Sequence, residues 1–437
     1  MKQTLSRRQF LRRSALGAAS AWLVTSRNAF AKGSPNGKLD IACIGVANRA
    51  GENLREIEKL TDIANVVALC DVDANFLAKA KQQHPQAKTF TDFRDLIDAK
   101  GIDAIVVSTP DHTHAVATVT ALKSGRHVYC EKPLTRTISE ARIVAETARK
   151  HKRVTQIGTQ IHAGGNYRRV VELIQSKAIG DVEEVHVWVS VTYGGKDLPP
   201  ASPVPAGLDY DLWLGPVEPV PYSPEFVPFK WRNWWMFGGG ALADFGCHYM
   251  DLPHWALELR HPISAEAIDG PPVHPHSTPP WLIVRYQYPP RTGLPAVTLT
   301  WYHGGKKPEL LKSLVAPDQL SKWNSGVLVV GKSGMVLANY GSHVLLPEKD
   351  FKGFVAPTPF IKDSIGHHRE WVEACRTGGE TTCNFDYSGA LTEAALLGNV
   401  AYRTGLKLIW DAPNVRTYNA REAQEFIQHE YRKGWRI

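Results

Sequence analysis

Four apolar runs after Leu39, each followed by a polar or helix-patterned stretch, restrict this chain more than any other feature. The first, "LDIACIGVANRAGENL", passes from an apolar strand through a glycine turn into a polar helix start; "NVVALCDVD", "IDAIVVSTPDHTHAVATVTALKSG" and "HVYCEKP" follow it. Continuous apolar runs separated by helical patterns belong to parallel strands covered on both faces. The turn is a candidate dinucleotide fingerprint, whose glycines serve the tight turn, backbone approach to a pyrophosphate and helix packing. Gly45 fills the first position, but Ala47 and Ala50 stand at the other two, with Gly51 one place late. Alone, such a turn has no specificity. The second strand, however, ends at Asp71, 26 residues after Gly45, where an acidic residue meets the adenosine ribose hydroxyls. A carboxylate there repels a 2′-phosphate, so NAD is expected rather than NADP. These observations together predict a Rossmann domain.

At 437 residues the chain exceeds one ordinary core, and its character changes after Thr155. "VEEVHVWVSVTY" alternates strictly, with Val185, Val187, Val189 and Val191 on one face and His186, Trp188, Ser190 and Thr192 on the other, as in a half-buried antiparallel strand. Strand-like runs recur at "PWLIVRYQY", "AVTLTWYH", "GVLVVG" and "GMVLANY". The expected fold is α/β plus α+β: a Rossmann domain over 38–155, then a domain with an open, mostly antiparallel sheet over 156–437. The helical stretch "GALTEAALLGNVAYRTG" is expected to pack back toward the first domain.

Open α/β sheets place ligands at the carboxyl ends of their strands, which is where "CEKPLT" falls. Lys132 precedes a proline, so its backbone is pushed out of the helical region. In "FGGGALADFGCHYMDLPHW", Asp244 and His248 are four apart and share a helix face, which Asp251 and Trp255 continue. Gly238, Gly239 and Gly240 would let backbone approach a ligand, and Pro253 must kink or end the helix. Taken alone, the Asp244–His248 pair fits a helix-surface interaction better than a catalytic one. Trp231, Arg232, Trp234 and Trp235 precede the glycines and either border the cleft or pack as core or interface aromatics.

The run Glu131-Lys132-Pro133, the preceding "STPDHTH" and the following "QIGTQ" give the sequence a resemblance to the Gfo/Idh/MocA family of sugar and inositol oxidoreductases, from about Leu39 to about Asp411. The resemblance implies that Lys132, Asp244 and His248 line the substrate cleft. His248 is then expected as general acid or base, suited by an imidazole pKa of about 6.5, with Asp244 as its partner and Lys132 polarising the reacting oxygen. The nucleotide is expected against Gly45, Ala47, Asn48, Arg49, Asp71, Ser108, Thr109, Pro110, His114, Glu131 and Lys132. Gln160, Tyr193, Trp231 and Arg232 are the candidates for binding a carbohydrate substrate. The resemblance further implies a homo-oligomer formed through the open sheet. His112, His114, His162, His248, His367 and His368 lack the paired spacing typical of zinc, so no metal is expected.

The ends and the charge bear on location. "SRRQFLRR", with Arg7 and Arg8, the short apolar "ALGAASAWLV" and Ala29-Phe30-Ala31 read as a twin-arginine export signal over 1–31. The apolar run is too short to span a bilayer, which needs roughly 20 residues, so stable membrane insertion is not expected. Of the net charge of +8, six come from Lys2, Arg7, Arg8, Arg12, Arg13 and Arg27 in that segment, and the rest shows no phosphate-tracking stripe. Nucleic acid is therefore not an expected partner. Cys43, Cys70 and Cys130 sit in or beside apolar runs and read as buried thiols, consistent with folding in a reducing compartment before export. A periplasmic NAD enzyme without a circulating NADH pool must keep and recycle its cofactor. Transfer between two carbohydrates meets that need; so does glycoside cleavage by transient C3 oxidation and elimination, the alternative activity.

Overall fold

The structure, a computed structural model, describes residues 37–437; the expected export signal lies outside them. Six strands form the first sheet: β1 (Leu39–Ile44), β2 (Ala64–Cys70), β3 (Lys88–Phe90), β4 (Ala104–Val107), β5 (His127–Cys130) and β6 (Thr155–Ile157). All are parallel, in the order β3-β2-β1-β4-β5-β6. Their apolar runs are continuous because both faces are buried. Ile41 and Cys43 point to one side with Leu54 and Ile57, while Ala42 and Ile44 point to the other with Ala115, Val119 and Leu122. The sheet reaches Ile157, so the boundary expected at 155 cuts its last strand.

The second sheet has nine strands: β7 (Val182–Trp188), β8 (Ser264–Asp269), β9 (Leu282–Tyr288), β10 (Val297–His303), β11 (Gly326–Gly331), β12 (Gly334–Ala338), β13 (His343–Leu346), β14 (Leu408–Asp411) and β15 (Arg416–Thr417). Their order is β13-β12-β11-β7-β10-β9-β8-β14-β15, antiparallel apart from the β7–β10 pair. The alternation read in β7 holds: Val185, Val187 and Val189 enter the core beneath helices Gly240–Tyr249 and Phe385–Thr404, and Trp188 turns to the opposite face with Leu328 and Leu337.

Two late segments return to the first domain. Helix His367–Thr377 lays Trp371, Val372 and Cys375 on one face of the parallel sheet. Helix Phe385–Thr404, capped by Asn384, inserts Phe385 into the other face and Leu391 into the second core. Arg142 grips Glu393 through two bonds of 2.8 and 2.9 Å, which ties that helix to the first domain. All six cysteines are buried and free. No helix among the described residues is long and apolar enough to cross a membrane.

Candidate active site

The strand order reverses between β1 and β4, and the carboxyl ends of β1, β2, β4 and β5 open there on a cavity of about 770 Å3. Gly45 has φ +88°, and a Cβ there would lie 2.7 Å from the Ser108 carbonyl oxygen, so only glycine fits. Asn48 also has positive φ, +52°, and starts helix Arg49–Glu58 without a side-chain cap, leaving the first amides to an anion. Ala50 is buried against the Gly45 turn, which accommodates a methyl where the fingerprint has glycine. At the end of β2, Asp71 accepts from Val46 N (3.0 Å) and Asp73 N (2.9 Å). Burial nonetheless pushes its carboxyl up to about 6. Ala47, Asn48, Arg49, Ser108, Thr109 and Pro110 line the same wall. A glycine that admits no side chain, an uncapped helix start and a carboxyl on the next strand suit a dinucleotide.

Glu131 ends β5 as a hub. Its Oε1 accepts from Arg49 Nε, Asn53 Nδ2 and Gln160 Nε2, each at 3.0 Å. Burial works against its ionisation, but Arg49, Lys132 and Asn53 prevail and hold the carboxyl down to about 2. Gln160, expected at the substrate, instead stands behind Glu131 and gives a second bond to Tyr129 (2.9 Å). His114, expected at the cofactor, is fully buried: its ring nitrogens lie 2.8 Å from Pro133 O and 2.7 Å from Thr109 O, joining two cleft turns from behind. Both side chains hold the frame of the site without lining it.

Asp244 gathers the cations. Lys132 Nζ pairs with its Oδ1, Arg232 Nε lies 3.3 Å from the same oxygen, and Tyr193 donates to Oδ2 at 2.9 Å. Burial opposes the charge, but Lys132 and Arg232 hold this carboxyl well below the usual range. Arg232 is itself braced over Trp231, 4.0 Å from the ring centroid. Lys132, Tyr193, Trp231, Arg232 and Asp244 all line the cavity that Gly45 and Asp71 line.

The expected Asp244–His248 pair is not made, because three other donors occupy the carboxylate. His248 sits one turn on, between the rings of Phe245 and Tyr340 and outside the cavity wall, with its Nδ1 buried and unbonded. Burial, then Lys132, pulls its pKa down to about 3, which keeps the imidazole neutral. The face expected to continue to Asp251 and Trp255 is broken at Met250, where helix Asp251–Ala256 begins with Pro253 in its first turn. Asp251 turns to His162 (3.0 Å) and Tyr387 (2.7 Å), with Trp255 stacked on His162. The glycine tract opens no backbone to the cavity: Gly238 abuts Trp231 and Arg232, and Gly240 abuts Thr278. Trp234 and Trp235 are buried in the core. Among the described residues no three His, Cys, Asp or Glu side chains are grouped to hold a metal.

Sequence reasoning missed two contributors. Asp111 lines the cavity, although its run "PDHTH" carries no spacing that distinguishes a ligand from a helix start. Leu208, Leu212, Trp213, Val227 and Phe229 also line it. Leu208 lies in the Pro-rich stretch 197–211, whose Pro and Gly content marks turns but not what they cover, and the other four follow it in sequence.

A dinucleotide cradle sharing one cavity with a lysine–carboxylate cluster, between a parallel and an open sheet, defines a two-domain dinucleotide-binding protein. Residues 39–159 match the model of the Gfo/Idh/MocA oxidoreductase family's NAD-binding Rossmann fold, and residues 177–294 match that of its C-terminal alpha/beta domain. The chain belongs to that family. It is 30% identical over 150 residues to inositol 2-dehydrogenase of Salmonella paratyphi B, covering 34% of this chain and 45% of the relative. A glycosyl hydrolase family 109 protein of Shewanella putrefaciens is 25% identical over 205 residues, 41% of this chain and 44% of that protein. The chain thus spans under half the length of these relatives. In fold it is similar to the WlbA dehydrogenase of Bordetella pertussis, solved with NADH and UDP-GlcNAcA (TM-score 0.61, 18% identity, 85% of this chain and 98% of that one). It is also similar to an aldose-aldose oxidoreductase of Caulobacter crescentus solved with glycerol (TM-score 0.57, 17% identity, 85% and 100%).

Proposed function

We propose that the protein oxidises or reduces a hydroxyl-bearing carbon of a sugar, cyclitol or derivative, using an NAD that stays bound between turnovers. The observation that carries this reading is the single cavity lined by Gly45 and Asp71 at one part and by Lys132, Tyr193, Arg232 and Asp244 at another. The nicotinamide supplies the hydride acceptor or donor. Lys132 polarises the reacting oxygen, with Asp244 fixing its ammonium. Tyr193, whose pKa burial and Asp244 raise, stays protonated and donates. Arg232 orients neighbouring hydroxyls. His248, outside the cavity wall with its pKa pulled down to about 3, is not placed to take the hydroxyl proton.

Retention is supported by how the second domain reaches over the first. Residues 196–229 cross the end of β2, where Ala74 N donates to Gly207 O (2.8 Å) and Asp209 N to Val72 O (2.9 Å). Leu208, Trp213 and Phe229 then wall the cavity with apolar surface. A cofactor kept under such a strap suits folded export by the twin-arginine route and chemistry that regenerates NAD on the enzyme. Similarity to a glycosyl hydrolase family 109 protein supports the second reading, redox-neutral glycoside cleavage.

Denaturing the purified full-length protein, prepared without added nucleotide, and identifying the released material by mass tests the first reading. Near-stoichiometric NAD(H) is expected; an empty protein with weak NAD affinity overturns it. Incubating a glycoside in deuterated water separates the two chemistries, since elimination places deuterium at C2 of the released sugar.

A further inference from the structure

The cleft holds a further buried carboxyl that the chemistry above leaves unused. Asp111 opens helix Asp111–Lys123 directly after Pro110, is 2% exposed, and lines the cavity with Lys132, Tyr193, Arg232 and Asp244. Its Oδ1 has no hydrogen-bond partner. A helix-start carboxylate in water is ordinary, but one buried with an unbonded oxygen is costly unless a ligand or a proton satisfies it. Arg232 and Lys132, the cations facing it from the 3-10 turn Lys230–Asn233 and from the end of β5, are already paired with Asp244. Arg136, between β5 and helix Ile138–His151, is the third cation that acts on it, while Asp244 and the Tyr193 phenol face it from the second domain. Burial, reinforced by Asp244, outweighs the three cations and sets its carboxyl well above the usual range.

We propose that Asp111 is a specificity-determining residue, a neutral carboxyl that donates a hydrogen bond to a substrate oxygen next to the one Lys132 polarises. The ligand class this selects is a polyol or sugar with oxygens on adjacent carbons, so that ammonium and carboxylic acid are engaged together. The inference rests on the carbohydrate reading above. Because the donor is the protonated form, affinity is lost as pH rises through the carboxyl's pKa.

The test uses the full-length protein with its retained nucleotide and two probes, myo-inositol and glucose, with binding followed by quenching of tryptophan fluorescence between pH 5 and 10. Wild type is expected to lose affinity at alkaline pH. Asp111→Asn, isosteric and still a donor, is expected to bind within a few-fold of wild type with that pH dependence removed. Asp111→Ala is expected to bind about 10-fold or more weakly at every pH, with unchanged nucleotide content reporting an intact fold. Unchanged alkaline loss in Asp111→Asn, or unchanged affinity in Asp111→Ala, overturns the proposal. Infrared difference spectra of wild type against Asp111→Asn at pH 7 give an independent arm. A protonated-carboxyl band lost in the variant supports the neutral donor, and its absence in wild type overturns it. If neither probe binds wild type, the carbohydrate reading fails, and the infrared band still decides the state of Asp111.

Discussion

Lys132 and Glu131 are neighbours in sequence with opposite tasks, and their substitutions should fail differently. Lys132→Met keeps the apolar stem and removes the ammonium, so Asp244 retains only Arg232 and Tyr193. Turnover of a confirmed substrate is expected to fall about 100-fold or more, while nucleotide content by mass stays unchanged. Glu131→Gln should act on stability. The folded carboxyl titrates near 2, below its ordinary 4.5, so its contribution is complete above pH 4.5 and is lost as pH falls toward 2. Urea midpoints between pH 2 and 5 should therefore decline more steeply in wild type than in the variant, which starts lower because Arg49 loses its buried partner and keeps only the exposed Glu52. Gly45→Ala must place a methyl 2.7 Å from a carbonyl at φ +88°, and a loss of about 1–3 kcal/mol in chemical denaturation is expected, together with loss of retained nucleotide. Gly45, Asp71 and Lys132 were legible because motif position fixes which strand end they occupy, whereas Arg232, on a 3-10 turn, was reached only through the tryptophans and glycines beside it. His248, Gln160 and His114 were not legible. Helical spacing tells which residues share a face, but not that Lys132, Tyr193 and Arg232 would reach Asp244 first, and a polar residue beside a motif reads alike whether it meets ligand or frame.

Among elements, the strap over residues 196–229 is the one whose function can be separated from folding. It touches the first domain through two backbone bonds, the side-chain bonds of His112 to Trp213 O and Asn75 to Ala206 O, and apolar side chains at the cavity. Leu208→Ser combined with Phe229→Ser removes apolar cover without disturbing those bonds; Phe229 is 57% exposed, so its truncation leaves no core void. Release of bound NADH, followed by its fluorescence in the presence of an excess of competing NAD, should accelerate about 10-fold or more, with little change in melting temperature. The strands of the second sheet were readable from period-two alternation. The strap was not, because a run of prolines states where helices and ladders cannot form and leaves open what the chain covers. Nor was the destination of helix His367–Thr377: its apolar stripe announces burial, and both sheets offered a face.

For the whole molecule, domain and sequence segment do not coincide. The first parallel sheet is covered on one face by Trp371 and Val372 and on the other by Cys383 and Phe385, while Arg142 and Glu393 bridge the domains. Calorimetry is accordingly expected to show one coupled transition, and a chain ended before residue 360 should not hold nucleotide. This arrangement also has a temporal meaning. A ribosome delivers the cradle residues from Gly45 to Lys132 long before the helices that seal the sheet beneath them. Nucleotide is then expected to be captured only after the helices His367–Thr377 and Phe385–Thr404 have been made. A translocation route that admits only folded cargo would then depend on helices made long after the cradle itself.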